Sequence, residues 1–165
     1  MDTFFEQLVT IKKNAKTYLA YIGIALATIL VMTVSLIALG NLAIVVIFFV
    51  LFGAYKLYSM LSIEYEYIIT NSTMDIDKII AKSSRKRILS FELSEVERIE
   101  KYRAELPQDI LKDCFFACNT GDENAYVLII HPDGKAKQSL VIAPDDRMKE
   151  AMKKFLPKYV VDTLI

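Results

Sequence analysis

Residues 65–76 read YEYIITNSTMDI, and they decide how the chain is organised. Apolar and polar side chains alternate on both sides of Asn71-Ser72-Thr73, a cluster of small polar residues with turn chemistry. Alternation with period two puts one set of side chains on each face of a pleated strand, so the stretch predicts a β-hairpin. Nothing in the preceding segment has that period. Residues 17–55, 39 in all, contain no Asp, Glu, Lys, Arg or His.

A helix rises about 1.5 Å per residue, and a hydrocarbon core of roughly 30 Å takes about 20 residues to cross. The uncharged run is about twice that length. Gly40-Asn41, near its centre, is its only consecutive pair with turn chemistry. The run therefore predicts two membrane-spanning helices, at about 18–39 and 42–58, within a segment 17–60. Tyr18 and Tyr21 at one end and Tyr55 and Tyr58 at the other stand where interfacial aromatics belong. A buried core hairpin is the competing reading, but soluble core helices are shorter and less uniformly apolar. A cleaved signal peptide would still leave the second apolar run as an anchor. Lys12, Lys13 and Lys16 precede the first span, Lys56 ends the second, and the connecting turn carries no cation. The positive-inside bias then gives an integral protein of the cytoplasmic membrane with both termini in the cytoplasm. Before the spans, residues 1–16 predict a short amphipathic helix. Phe4, Phe5, Leu8 and Ile11 recur at helical spacing, and the helix lies in the headgroup region, extends the first span or packs on the soluble part.

From 61 to 165 the chain is ordinary in composition, with 16 Lys/Arg and 18 Asp/Glu. That faint acidic balance argues against a nucleic-acid partner. Alternation continues through MDIDKIIA (74–81) and ILSFEL (88–93), and SEVERIEKY (94–102) is a weaker strand in which a helical turn is also possible. A loop containing Pro107 follows. CFFAC (114–118) and the hairpin AYVLIIHPDGKAKQSLVIA (125–143) complete about seven antiparallel strands, the hairpin turning at His131-Pro132-Asp133-Gly134. The last element differs. Met148, Ala151, Met152, Phe155 and Leu156 form one helical stripe behind a cap at Asp145 or Asp146, and Pro157 closes it. An α+β fold is expected, a curved sheet or sandwich carrying one amphipathic helix.

Seven short strands and a C-terminal helix resemble a pleckstrin-homology-like (PH-like) domain. YEYIITNSTMDIDKIIAKSSRKRILSFELSEVERIE (65–100) is similar to the front half of such domains, and bacterial versions often follow a pair of membrane helices. The chain as a whole resembles small two-span membrane proteins of Gram-positive bacteria. The resemblance brings no catalytic motif with it. It implies a non-enzymatic, membrane-anchored adaptor or scaffold that presents a protein-interaction domain at the cytoplasmic face. A protein partner or a second copy of the chain would bind there, beside membrane lipids.

Lys78, Lys82, Arg85, Lys86 and Arg87 fall within ten residues around one turn. If that turn faces an anionic leaflet, each cation contributes about 1 kcal/mol, so an anionic-lipid sensor is the alternative function. The plainer reading is a solvated loop offsetting Asp75, Asp77 and Glu92. A third reading makes the chain an accessory subunit of a larger membrane complex, with Gly23, Ala27 and Ala38 allowing close helix contact. Cys114 and Cys118, four apart in a strand, are about 13 Å apart, too far for a disulfide. His131 is the only histidine, no carboxylate pair stands in an apolar setting, and the five glycines form no phosphate loop. No catalytic residue, cofactor site or metal site is expected.

Overall fold

The computed structural model describes residues 3–103, 114–119, 121–131 and 136–161. They fall into two compact units, one of Met1–Ile11, Glu64–Ile79 and Arg85–Ile165, the other of Lys12–Ile63 and Ile80–Ser84.

The first unit is built from two four-stranded sheets. Strands β1 (Phe4–Thr10), β2 (Ile63–Thr70), β3 (Thr73–Ile80) and β4 (Ser84–Glu92) lie side by side in that order. The hairpin read at 65–76 is the centre of this sheet. Asn71 takes φ of 56° in its two-residue turn, a left-handed conformation that asparagine tolerates better than most residues. A 3-10 turn, Leu93–Glu95, leads into β5 (Val96–Lys101). Strands β6 (Cys114–Phe116), β7 (Tyr126–Ile130) and β8 (Gln138–Ile142) complete the second sheet in the order β5-β7-β8-β6. Both readings of SEVERIEKY are thus realised in succession, a helical turn and then a strand.

Residues 4–10 are a strand, which corrects the expected N-terminal helix. β1 pairs antiparallel with β2, from Phe4 opposite Thr70 to Thr10 opposite Glu64. Its exposure alternates, with Phe5, Gln7 and Val9 turned inward and Phe4, Glu6, Leu8 and Thr10 outward. Two features of the sequence hide that period. Phe4 and Leu8 are apolar on the outward face, and the central inward position is a glutamine. Gln7 is held there by backbone: its Nε2 donates to the Ala143 carbonyl (3.0 Å) and its Oε1 accepts from Asp145 N–H (2.9 Å). The described strands therefore number eight. They are not all antiparallel either, because β6 runs parallel to β8.

Tyr67 ties the sheets together from the middle of β2. Fully buried, its hydroxyl donates to the Ala117 carbonyl (2.7 Å) and accepts from Ala143 N–H (3.3 Å). Tyr65 meets Phe115 edge to face at 5.8 Å. The core around them is aliphatic, with Ile69, Met74 and Ile76 from one sheet and Leu128, Ile130 and Leu140 from the other. Helix α3 (Asp146–Lys153) begins at the Asp145 cap, whose carboxylate accepts from Met148 N–H (2.7 Å), and it packs beside β1. Met148, Ala151, Met152 and Leu156 are buried, as the stripe requires, while Phe155 is half-buried. After Pro157 a short helix α4 (Lys158–Val161) follows, an element the sequence reading did not separate. The Pro107 loop and Pro132-Asp133-Gly134 lie outside the described residues.

The second unit is a helical hairpin. Asn14 caps α1 (Ala15–Leu39) by accepting from Thr17 N–H (2.9 Å). A 3-10 turn, Gly40–Leu42, reverses the chain, and α2 (Ala43–Met60) returns along α1. Gly40 has φ of 50°, where a side chain is strained, so glycine suits the reversal. The antiparallel sense is visible in Tyr21, near the start of α1, stacked at 4.3 Å on Tyr58, near the end of α2.

Candidate functional site

The five cations singled out in the sequence surround the β3–β4 turn, but they do not form one cluster. In the turn, Ala81 and Lys82 both take positive φ (56° and 54°), and Ser83 N–H donates back to the Ile80 carbonyl at 3.2 Å. Two consecutive left-handed residues make this a type I′ turn, whose twist matches the strands it joins. The Ala81 N–H is held as well, donating to the Ser62 carbonyl (3.0 Å) just past the end of α2. Lys82 projects from this turn and is exposed.

Arg85 and Arg87 are engaged across the strands. Arg85 Nη2 donates to Glu66 Oε1 (2.9 Å) and lies 2.8 Å from Oε2. Arg87 reaches two carboxylates, with Nη1 3.0 Å from Asp75 and Nε 3.0 Å from Asp77. Glu66 and Asp77 are buried, so the guanidinium groups neutralise carboxylates the sheet has taken out of water. Burial pushes the Glu66 carboxyl above its ordinary range, neighbouring Glu6 adds to that, and Arg85 opposes it. Lys78, half-buried on β3, Lys82, and Lys86, exposed on β4, make no ion pair among the described residues. The run of cations therefore divides by strand geometry into two arginines that complete a ladder and three lysines that do not.

Glu92, at the end of β4, accepts from Thr73 Oγ1 (2.7 Å), while Glu92 N–H donates to Glu95 Oε2 (2.9 Å). Hydrogen bonds from Ser72 and Thr73 hold the Glu92 carboxyl below its usual value. Cys114 and Cys118 are both free thiols, pushed by burial up to about 11 and about 12. A thiol that far above neutrality carries almost no thiolate, so neither is poised as a nucleophile. His131 is exposed and its backbone N–H donates to the Glu95 carbonyl (3.0 Å).

The sequence reading missed a second cation beside the turn unit. Lys13, noted only as a flanking charge, has its ammonium 4.7 Å from the Tyr21 ring centroid and 5.7 Å from that of Tyr58. The signal was present in the pairing of flanking lysines with tyrosines at both helix ends. The reversal at Gly40-Asn41 was expected to bring those ends together; what was not legible is that the Lys13 ammonium lies over the Tyr21 and Tyr58 rings.

The family model for the bacterial PH-like domain (DUF6106) matches residues 1–162. The match takes in β1 and both long helices as well as the sheets. No curated protein and no solved structure matches the chain.

Proposed function

The chain belongs to the bacterial PH-like domain family, and from that premise we propose that it is a membrane-anchored, non-enzymatic interaction module. In this reading α1 and α2 cross the cytoplasmic membrane and the two sheets meet a protein partner, or a second copy, at its inner face. One observation carries the anchoring. The helical stretch Ala15–Met60 is long and apolar enough to cross a bilayer, yet only 11% of its most apolar 18-residue window is buried. A soluble core helix would hide that surface, whereas lipid is a solvent for it.

Strand pairing supports the topology. β1 precedes the helices and β2 follows them, and Thr10 lies opposite Glu64 in one sheet. Both ends of the hairpin are thereby held on one side, which an even number of spans permits and a single span forbids. A cleavage within α1 would strip β1 from the sheet, which speaks against a removable leader.

Labelling in intact bacteria tests this reading. Asn41→Cys should react with a membrane-impermeant maleimide from outside, and Ser83→Cys only after permeabilisation. The native thiols, Cys114 half-buried and Cys118 buried, are replaced by alanine in both variants so that only the introduced thiol reports. Release of the protein by alkaline carbonate, or equal labelling at both positions, overturns the anchor. Crosslinking in the native membrane then tests the adaptor role: a reproducible partner or homo-oligomer supports it, and its absence removes it.

The alternative, contact of the 78–87 loop with anionic lipid, is supported by the bond from Ala81 to Ser62. That bond keeps the turn beside the end of α2, where a membrane surface would be. Arg85 and Arg87 already serve carboxylates, so lipid contact falls to Lys78, Lys82 and Lys86.

A further inference from the structure

We propose that the helical hairpin carries a site for one anionic phospholipid, its phosphate held between Lys13 and Lys82 and one acyl chain lying in the groove between α1 and α2. This rests on the reading of the helices as membrane spans.

Two hollows in this unit meet at three tyrosines. One, of about 360 Å³, is bounded by Lys13, Ser59, Ser62 and the Ala81-Lys82 turn. The other, of about 480 Å³, runs between the helices along Ile24, Thr28 and Met32 of α1 and Leu51 and Ala54 of α2. Tyr21, Tyr55 and Tyr58 line both. The pair is thus one amphipathic cleft, cationic and hydroxylated at one end and hydrocarbon along the rest, within the size range of ligand pockets.

Its length fits one leaflet. From Tyr21 to Met32 is eleven residues, about 16 Å along the helix, and half of a hydrocarbon core is about 15 Å. An acyl chain whose headgroup sits among the tyrosines therefore ends near the bilayer centre, where the groove ends. The charge fits too. Lys13 and Lys82 both line the first hollow, and residues 12–63 and 80–84 of this unit contain no Asp or Glu. A free phosphate would leave the groove unfilled, and a neutral lipid would bring no net negative charge to Lys13 and Lys82. An anionic phospholipid answers both.

Finer details agree. The Tyr21 hydroxyl is buried and no hydrogen bond to it meets the geometric criterion, and the Lys13 ammonium lies 4.7 Å from the Tyr21 ring centroid. A phosphate oxygen between them would accept from both. Lys82 is presented on a turn whose two left-handed residues, neither glycine nor asparagine, are strained, and the Ser62 carbonyl fixes that turn against the cleft. Retained strain of this kind is common where a side chain must be aimed.

Native mass spectrometry of the full chain released from nanodiscs tests the site, with phosphatidylglycerol, phosphatidylcholine and inorganic phosphate as probes. One phosphatidylglycerol should stay bound per chain, phosphatidylcholine should not, and millimolar phosphate should not displace the lipid. The double variant Lys13→Ala/Lys82→Ala should lose retention at least tenfold. Ala25→Trp, which fills the groove and spares both lysines, should lose it as well. Equal retention of the two lipids, retention unchanged in either variant, displacement by phosphate, or a lipid-free dimer each overturns the site. Those results all require a chain that has entered the nanodisc; failure of the wild type to enter at all overturns the membrane reading instead, and the site with it.

Discussion

Tyr67 shows how much a single polar atom decides. Its hydroxyl is the shared partner of a carbonyl after β6 and an N–H after β8, all buried between the sheets. Removing the oxygen leaves both backbone groups unsatisfied, and each such loss costs about 1–3 kcal/mol. Tyr67→Phe, folded but missing that link, is expected to lower the urea midpoint of the detergent-solubilised chain by a corresponding amount without changing the slope. Burial holds the Tyr67 phenol protonated far above neutrality, so the link does not titrate in the physiological range. Glu92 behaves oppositely. Its folded pKa is depressed by Ser72 and Thr73, so its contribution is full above the ordinary value of 4.5 and fades as pH falls through the folded value. Unfolding curves collected from pH 7 down to pH 3 should show this loss, and Glu92→Gln should flatten the acid limb relative to the wild type. Neither role was visible in the sequence. An alternating tyrosine reads as core, and nothing local says which backbone atoms its hydroxyl will meet.

Among elements, the β3–β4 turn and β1 carry the most information. The turn demands left-handed backbone at Ala81 and Lys82, a conformation that costs an ordinary residue about 1–2 kcal/mol. Ala81→Asn should therefore stabilise the protein by roughly 1 kcal/mol in thermal unfolding, since asparagine is the favoured residue at that place in a type I′ turn. A destabilised variant would mean that the Ala81 conformation is relieved by something other than its φ. β1 is the element misjudged from sequence. Phe4, Phe5, Leu8 and Ile11 satisfy a helical spacing, but β2 presents an unpaired edge, and seven opposed residue pairs outweigh a weak local preference. By contrast, β2, β3 and α3 were legible because apolar side chains recur along each at its own period, although in β2 the polar face is buried as well. The parallel β6–β8 pairing was not, since strand direction is a property of the connection and not of the three residues in β6.

For the whole molecule, the notable fact is one of connectivity. The helical hairpin is an insertion between two strands that are hydrogen-bonded neighbours, entering after Thr10 and leaving before Glu64. Replacing residues 12–62 with a short glycine-rich turn should yield a β-rich domain soluble without detergent, judged by gel filtration and circular dichroism. A fragment that simply starts at residue 63 lacks β1, bares the edge of β2, and is expected to aggregate or melt well below the shortened domain. If the two constructions behave alike, β1 is dispensable to the sheet.

What the chain's own sequence determined is the division of labour. A 39-residue uncharged run calls for helices that are either buried or in lipid, and alternating strands with one amphipathic helix call for a curved sheet or sandwich that carries the helix. Those conclusions follow from periodicity and composition, which are local. The tertiary structure alone decided which cations are spent on carboxylates, that β1 closes the sheet, and that Lys82 of the β3–β4 turn lines one hollow with Lys13 and the tyrosines. Each of these depends on residues far apart in the chain being brought side by side, and no local pattern records that.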